Sequence, residues 1–114
     1  MAQSKFEYTR KFEADDKLLP NAWIVVRIDG KGFHKFSDSH KFVKPNEKAA
    51  LDLMNKCAVN VMTEFNEILL SYGQSDEYSF VINRYSNMLE RHDYKIMSNI
   101  VSTFSSAYTF NWPN

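Results

Sequence analysis

The sequence from Ile68 to Ile82 decides the fold, and it reads ILLSYGQSDEYSFVI. Both ends are rich in aliphatic, β-branched and aromatic residues, whereas the middle, Gly73–Asp76, is polar and begins with a glycine. This pattern is typical of two antiparallel strands joined by a tight turn. We therefore predict a hairpin with strands over Ile68–Tyr72 and Tyr78–Ile82.

A further strand and two helices are predicted on either side of the hairpin. The segment from Trp23 to Ile28 is short and rich in β-branched residues, and it is closed by Asp29 and Gly30, which indicates a buried strand that runs into a turn. Two apolar stripes at helical spacing predict one helix after Pro45 and another that is broken by Pro113. The stripes consist of Ala50, Met54, Cys57, Ala58, Val61, Met62 and Phe65, and of Met97, Ile100, Val101, Phe104, Ala107 and Tyr108. We place Met54, Met62, Met97 and Phe104 in the core.

The predicted order of elements is strand, helix, strand, strand, helix. These are five of the six elements of the ferredoxin-like βαββαβ arrangement, so the fold class is α+β and the last strand is missing. An open sheet edge and poorly covered apolar surface on the second helix are expected. We expect residues 1–114 to form part of one domain, with 1–20 as an arm that forms a short helix or docks, and 21–112 as the core.

Composition narrows the class of protein. The chain has 114 residues, 14 Lys and Arg against 14 Asp and Glu, and 44% hydrophobic residues, which favours one globular domain and excludes a disordered chain. No apolar run approaches the roughly 20 residues that span a bilayer, and the polar start does not resemble a signal peptide. The single Cys57 is expected to pack in the core, in a reducing compartment. We expect an intracellular protein of the cytoplasm or nucleus, and a mitochondrial location also fits.

The basic residues fall into three groups, although the net charge is zero. Such groups indicate either a basic binding face or an ordinary solvated surface. They are Lys5, Arg10, Lys11 and Lys17; Lys31, Lys35, Lys41 and Lys44; and Arg84, Arg91 and Lys95.

Acidic residues mark two predicted turns, Asp29 after the first strand and Asp76–Glu77 at the hairpin tip. Because the first and third strands are neighbours in a ferredoxin-like sheet, we expect Asp29 and Asp76 to lie close together. Carboxylates suit Mg²⁺, and two ions about 3.5–4 Å apart support phosphoryl chemistry. The Gly30 carbonyl is a further candidate ligand. The alternative is that each acid only caps a turn.

A glycine-containing segment, Gly30-Lys31-Gly32-Phe33-His34, follows the first acid. Its backbone N–H groups are candidates for cradling a triphosphate, and His34 for pairing with a nucleotide phosphate or base. The pattern also fits an ordinary turn. Ser75, Lys44 and Lys95 are candidate phosphate contacts or simply surface residues. We assign no catalytic histidine, and we interpret Ser102, Ser105 and Ser106 as small residues that allow close helix packing.

Three motifs carry a family resemblance across nearly the whole chain. They are Arg27–Phe36, Lys44–Asn46 and Tyr72–Phe80, and Ser4–Tyr8 and Phe104–Tyr108 fit as well. In order and spacing they resemble the N-terminal half of the tRNA-histidine guanylyltransferase family. The resemblance implies a palm-like catalytic domain, related to that of polymerases, that adds a guanosine to the 5′ end of tRNA-His in the 3′→5′ direction.

The resemblance also implies site roles. Asp29 and Asp76 would hold two Mg²⁺ ions with the Gly30 carbonyl, and Glu77 would be a supporting acid. The segment from Asp29 to His34 and the pair Ser75–Asp76 would bind the nucleoside triphosphate, with Lys44 and Lys95 as further contacts. In the family, ATP adenylates the 5′-phosphate of tRNA-His, the GTP 3′-hydroxyl displaces AMP, and pyrophosphate is then lost. The family assembles as a homotetramer.

The sequence departs from the family pattern in its later part. The family's motif His-Ile-Asn-Asn-Leu-Tyr-Asn is not found, and Glu47 stands where many relatives have Asp. We therefore expect this chain to keep the metal and GTP ligands without completing guanylation or the tetramer. The alternatives are a non-catalytic GTP- and Mg²⁺-binding fragment, a nucleotidyl cyclase on the same scaffold, and an RNA-recognition module. The last rests on the partial likeness of Tyr78–Val81 to an aromatic RNA-binding strand, and Asp76–Glu77 argues against it.

Overall fold

The computed structural model describes residues 4–12, 16–32 and 48–112. Within these ranges the chain forms three strands, two α-helices and two short 3₁₀-helices, in the order that the sequence predicts. They are 3₁₀-helix Glu7–Phe12, β1 (Ile24–Asp29), α1 (Lys48–Glu64), β2 (Ile68–Gln74), β3 (Glu77–Ile82), 3₁₀-helix Met88–Arg91 and α2 (Asp93–Asn111). The predicted Pro45 and Pro113 boundaries lie outside the described residues.

The three strands form one antiparallel sheet in the order β1-β3-β2. The hairpin turn is tighter than predicted, since only Ser75 and Asp76 separate β2 from β3. Ser75 adopts a left-handed φ of 57°, as two-residue hairpin turns require. The α+β architecture is confirmed, and the outer edge of β1 has no partner strand among the described residues.

Both helices cover one face of the sheet, and the core lies between them. The predicted Met54, Cys57 and Phe104 are buried there, together with Phe80 and Ile82 from β3. Leu53 and Ile96, which the predicted stripes omit, are buried as well.

Met97 contradicts its predicted place in the core, because it is 53% exposed, and Val101 on the same predicted stripe is 44% exposed. They lie one turn apart on the same side of α2, and Val101 lines a cleft beside the end of β1. No described strand lies beyond β1 to cover that side of the helix, so both side chains stay exposed.

Among the described residues no helix lies on the opposite face of the sheet, and we call this face the open face. Strand pairing arranges its side chains in three rows. The acidic row is Asp29, Glu77 and Gln74; the middle row is Arg27, Ser79 and Tyr72; and the apolar row is Val25, Val81 and Leu70. A register shift between Ile68 and Leu70 lets β2 keep this alternation.

Arg91 corrects the sequence interpretation of the third basic group. Its side chain is buried, and its guanidinium donates hydrogen bonds to four backbone carbonyls. These belong to Leu19 (2.6 Å), Ala22 (2.7 Å), Ser86 (2.7 Å) and Arg84 (3.3 Å). Arg91 therefore ties the segment before β1 to the loop after β3, and it contributes nothing to a basic surface.

The N-terminal segment forms the predicted short helix. The 3₁₀-helix Glu7–Phe12 buries none of its residues, and Phe12 is among the most exposed apolar side chains. This helix therefore does not dock through its own side chains, whereas Leu18, later in the predicted arm, packs against the core. In the part of the chain that the structure describes, every helix is too short or too polar to cross a bilayer.

Candidate functional site

Three acidic residues meet at one end of the sheet. The Gly30 N–H donates a 3.0 Å hydrogen bond to the Asp76 carbonyl, which joins the end of β1 to the hairpin turn. Asp29 lies directly opposite Glu77 in the β1–β3 pairing. The predicted proximity of the two acidic turns is therefore what the structure shows.

A cleft of about 420 Å³ opens beside these acids on the helix side of the sheet. Its polar wall includes Asp29, Gly30, Lys31 and Asp76, and its apolar wall comes from both helices. The remaining lining residues are Ile28, Met54, Val101, Phe104, Ser105, Tyr108 and Thr109. A cleft with an acidic rim and an apolar wall suits a ligand that has a charged, metal-bound part and an aromatic part.

Tyr78 holds the acidic hairpin tip against the helices. Its ring lies 5.6 Å from that of Phe80 and 6.0 Å from that of Phe104, and its hydroxyl donates a 2.7 Å hydrogen bond to Asn55 Oδ1. The ring packs over Gly73, where an added Cβ would lie only 2.6 Å from Tyr78 Cδ2. Gly73 is therefore required for close approach, and Asn55 supplies a partner from α1.

The donor set fits Mg²⁺ in its chemistry. Asp29 and Asp76 offer carboxylate oxygens and Gly30 offers a backbone carbonyl, which are the hard ligands that Mg²⁺ prefers. Glu77 instead lies 3.5 Å from Arg27 Nε, with side chains 33% and 65% exposed. Among the described residues no group of three or more His, Cys, Asp or Glu side chains is placed to hold a metal. Two acids and one carbonyl are thus candidate ligands, and the other ligands of an ion would come from water or substrate.

The remaining predicted site residues are only partly brought together. Lys31 lines the cleft, Gly32 adopts a left-handed φ of 63°, and Ser75 lies in the turn beside Asp76. Lys95 lies in the first turn of α2, whereas the cleft is lined by that helix from Val101 onward. Phe33, His34 and Lys44 lie outside the described residues.

Ser105 and Thr109 are cleft residues that the sequence analysis missed. Ser102, Ser105 and Ser106 are all exposed, so interpreting them as packing residues is wrong. Helical spacing could have identified Ser105 and Thr109 as cleft residues. Val101, Ser105 and Thr109 recur every four residues and therefore share one side of α2.

Burial shifts the pKa of three groups near the cleft and core. Burial raises the pKa of the Cys57 thiol, and it raises the pKa of the Tyr78 and Tyr108 phenols. Cys57 is fully buried, as predicted. All three groups therefore keep their protons at neutral pH, so none supplies a nucleophilic thiolate or phenolate.

Comparison with known proteins gives a consistent result. Residues 6–114 match the family described as "Thg1: tRNAHis guanylyltransferase". The chain is 56% identical over 112 residues to the probable tRNA(His) guanylyltransferase of Bos taurus, covering 98% of this chain and 38% of that protein. It is 56% identical over 113 residues to the tRNA(His) guanylyltransferase of Neurospora crassa, covering 99% of this chain and 39% of that protein.

Solved structures agree. The crystal structure of the tRNA(His) guanylyltransferase from Saccharomyces cerevisiae superposes with a TM-score of 0.88 at 46% identity, covering 95% of this chain and 48% of that one. A bacterial Thg1-like protein in complex with GTP shares the fold, with a TM-score of 0.76 at 24% identity, covering 91% and 48%. The chain thus spans about two-fifths of the length of these curated relatives and about half of the solved chains. It belongs to the Thg1 family of tRNA(His) guanylyltransferases.

Proposed function

We propose that this chain carries the nucleotide- and metal-binding half of a palm-like tRNA-His guanylyltransferase, and that it binds GTP with Mg²⁺ at the acidic end of the sheet. The observation that carries the proposal is the Gly30 to Asp76 hydrogen bond of 3.0 Å. It places the backbones of both acidic turns side by side at the mouth of the cleft.

Asp29, Asp76 and the Gly30 carbonyl would hold two Mg²⁺ ions, with Glu77 as a supporting acid. Bound Mg²⁺ lowers the pKa of an attacking hydroxyl and neutralises charge on the leaving group. The protein's own contribution is to fix the two carboxylates. It does so because β1 and the hairpin are hydrogen-bonded to one another and Tyr78 anchors the tip.

The triphosphate would lie along the turn that follows β1. The N–H groups of Lys31 and Gly32 belong to this turn, and the Lys31 side chain adds a positive charge to the cleft. Ser75 would contact the phosphates from the hairpin side. The family resemblance suggests four further nucleotide contacts, which are Phe33, His34, Lys44 and Lys95. The bacterial Thg1-like protein, which shares the fold, is described in complex with GTP, and this supports a nucleotide site.

The complete reaction would use tRNA-His, ATP and GTP. The tRNA 5′-phosphate is first adenylated by ATP, with loss of pyrophosphate. The 3′-oxygen of GTP then attacks the phosphorus of that 5′-phosphate and AMP leaves, which adds the guanosine in the 3′→5′ direction. The new triphosphate end then loses pyrophosphate, so that a GMP residue remains.

An RNA-recognition module is disfavoured by the placement of the β3 aromatics. Tyr78 and Phe80, which carried that alternative, are buried against the helices and cannot stack on bases as the aromatics of such a module do. The second candidate is a chain that binds GTP and Mg²⁺ without completing guanylation. It uses the same site, and only a transfer assay separates it from the first.

A thermal melt with Mg²⁺, with and without GTP, tests the site. At a ligand concentration about 100-fold above Kd, binding adds roughly 2.7 kcal/mol, which raises Tm by several degrees. We expect this shift in the natural sequence and in Glu67→Ala, which changes an exposed acid at the far end of the hairpin. We expect none in Asp29→Ala. A shift that survives in Asp29→Ala would contradict the proposed site.

Extension of 5′-phosphorylated tRNA-His then separates the two candidates. Addition of one nucleotide in the presence of ATP and GTP assigns the complete reaction to this chain. A GTP-dependent rise in Tm without extension assigns binding alone. The absence of both refutes the proposal.

A further inference from the structure

The segment Ser4–Phe12 exposes every one of its residues, and three of its nine side chains are large aromatic rings. We call it the aromatic segment. Its 3₁₀-helix buries none of its residues, so the rings contribute nothing to the core. Exposed apolar side chains that cluster in one place mark an interaction surface. The exposed fractions are 58% for Phe6, 59% for Tyr8 and 82% for Phe12.

Local contacts hold the aromatic segment in one shape without burying it. Ser4 accepts hydrogen bonds from the Phe6 N–H through its hydroxyl (3.1 Å) and from the Glu7 N–H through its carbonyl (3.0 Å). The Phe6 carbonyl accepts from the N–H of Thr9 (3.0 Å) and from its hydroxyl (2.7 Å). The Lys5 ammonium lies 5.1 Å from the centre of the Phe6 ring, within the range of a cation–π contact. A ligand therefore meets rings that are already ordered, which lowers the entropic cost of binding.

The period of the 3₁₀-helix places one ring between two cations. Such a helix has three residues per turn, so side chains three apart lie above one another, about 6 Å apart. Lys5, Tyr8 and Lys11 therefore share one side of the segment. Glu7 and Arg10 share another side, where they form an ion pair at 3.8 Å. A ring flanked by two lysines suits single-stranded nucleic acid, because bases stack on rings and phosphates pair with cations.

We propose that the aromatic segment binds a single-stranded part of the RNA substrate, with a base stacked on Tyr8 and phosphates paired with Lys5 and Lys11. The inference rests on the proposed function for the identity of that RNA. It adds a binding surface that shares no residue with the cleft or with the acidic end of the sheet.

The chain that follows the aromatic segment is fastened far from the acidic end. The Leu18 N–H donates a 2.8 Å hydrogen bond to the Arg91 carbonyl, and the Asp93 N–H donates one of 3.1 Å to the Asp16 carbonyl. These residues lie where α2 begins, beyond the end of β3 that is opposite the acidic turn. A six-residue strand is about 20 Å long. The aromatic segment is therefore joined to the fold about one strand length from the acids that would hold GTP.

Charge and geometry favour RNA over a second copy of the chain or a lipid surface. The aromatic segment has three cations and one acid, whereas the net charge of the whole chain is zero, so it attracts a polyanion more strongly than another copy. A helix that lies on a membrane keeps its apolar residues on one side. Tyr8, however, lies on a different side of the segment from Phe6 and Phe12, which are two turns apart on one side.

The test measures binding of a short labelled single-stranded RNA to the full 114-residue chain, by fluorescence anisotropy at several salt concentrations. We expect Tyr8→Ala to weaken binding by about 5- to 150-fold, the range for the loss of one stacked base. Tyr8→Phe keeps the ring and should bind within about 2-fold of the natural sequence. Replacing Lys5 and Lys11 together by Gln should reduce the slope of log K against log salt by about 1.4, because each phosphate contact to a single strand contributes about 0.7.

Tyr85→Ala is the matched control for the ring, because Tyr85 is 68% exposed and has a cation, Arg84, over its ring, but lies in the loop after β3. Lys56→Gln, at an exposed position of α1, is the control for charge and should leave the salt slope unchanged. Equal losses in Tyr8→Ala and Tyr85→Ala would overturn the inference. An unchanged salt slope in the double Lys5 and Lys11 variant, or no RNA binding by the natural sequence, would overturn it as well.

Two other occupants are distinguished by the same variants. Binding to vesicles of anionic lipid that depends on Tyr8, without binding to RNA, would assign the aromatic segment to a membrane surface. A dimer in sedimentation that Tyr8→Ala dissociates would assign it to a second copy of the chain. Duplex RNA that binds as tightly as the single strand would contradict base stacking. Each of these three results overturns the inference.

GTP binding separates this inference from the proposed function. Tyr8→Ala should keep its GTP-dependent rise in Tm, because the cleft is lined by no residue of the aromatic segment. If RNA binding depends on Tyr8 while the natural sequence shows no GTP shift, the inference stands and the proposed function fails. A GTP shift in a chain that binds no RNA gives the opposite result.

Discussion

The two ends of the sheet use charged side chains in opposite ways. At the start of β1, the buried Arg91 is surrounded by four backbone carbonyls. At the other end, Asp29, Asp76 and Glu77 lie in or beside turns and are exposed or only half-buried. A buried cation that donates to four carbonyls stabilises the fold, whereas the acids at the other end stay in contact with water. We call these the clamped end and the acidic end.

Backbone strain follows the same division. At the clamped end Leu89, Glu90 and Arg91 all have left-handed φ values, of 49°, 54° and 60°. Each such residue costs roughly 1–2 kcal/mol. The described part of the acidic end contains one comparable non-glycine residue, Ser75. At the clamped end, the hydrogen bonds of Arg91 therefore offset the cost of the strained backbone.

The largest expected effect is that of Arg91→Ala. Four carbonyls lose a charged donor, and those that stay buried cannot recover it from water. We expect a loss of about 3–5 kcal/mol in the free energy of unfolding, measured by urea denaturation. Arg91→Lys should recover little, because an ammonium cannot reproduce the planar fork of the guanidinium.

Arg84→Ala is the control for that prediction, since Arg84 is an exposed arginine in the preceding loop. It should change the free energy of unfolding by less than about 0.5 kcal/mol. Equal losses in the two variants would show that the clamped end is not set by buried charge.

The next effect is that of Gly73→Ala at the acidic end. The added methyl group would overlap the Tyr78 ring, so either the ring, which is hydrogen-bonded to Asn55, or the backbone at the tip must shift. We expect a loss of about 1–3 kcal/mol, as for other overpacked sites, together with weaker GTP binding because the acidic tip moves. Calorimetry on the variant with and without GTP and Mg²⁺ measures both. Unchanged stability would mean that Tyr78 does not anchor the tip.

Tyr78→Phe tests the same anchor more gently. The ring contacts remain and one hydrogen bond to Asn55 is lost, so we expect a loss of about 1 kcal/mol. In a chain that carries both Tyr78→Phe and Arg91→Ala, the two losses in the free energy of unfolding should add, because the residues lie at opposite ends of the sheet. A double-variant cycle measures this independence.

The dependence of stability on alkaline pH tests the role of the Tyr78 phenol. Burial raises the pKa of Tyr78, so its contribution to stability is complete below the ordinary tyrosine pKa of about 10 and is lost as the pH rises above it. Tyr78→Phe should therefore lose less stability than the natural sequence between neutral pH and about pH 11. An identical decline in both proteins would contradict the assignment.

Most of the fold was predictable because it rests on local patterns. Alternation marked β1 and the hairpin, and helical spacing marked both helices with their buried Cys57 and Phe104. The core prediction failed for Met97, whose apolar character is the same as that of buried residues. Helical spacing does not show that Met97 and Val101 are exposed, whereas the predicted order of elements, with no strand beyond β1, led us to expect poorly covered apolar surface on this helix.

The candidate site was predictable where it depends on strand order. The turns that carry Asp29 and Asp76 lie side by side because β1 and β3 are neighbours, as the ferredoxin-like arrangement requires. The sequence could not show that Arg91 is buried, because two of its four acceptors, Leu19 and Ala22, lie about 70 residues away along the chain. It also could not show the anchoring role of Asn55, since one amide on an exposed helix position has no distinguishing pattern.

The smallest expected effect is that of Arg27→Gln, which removes the ion pair with Glu77. The two groups are 65% and 33% exposed at 3.5 Å, so the pair contributes about 0–1 kcal/mol, and less at high salt. Chemical denaturation in low and high salt measures this contribution. Arg27 and Arg91 carry the same charge, but water solvates one of them and only carbonyls surround the other. If Arg27→Gln destabilises the chain as much as Arg91→Ala does, burial is not what distinguishes the two ends of the sheet.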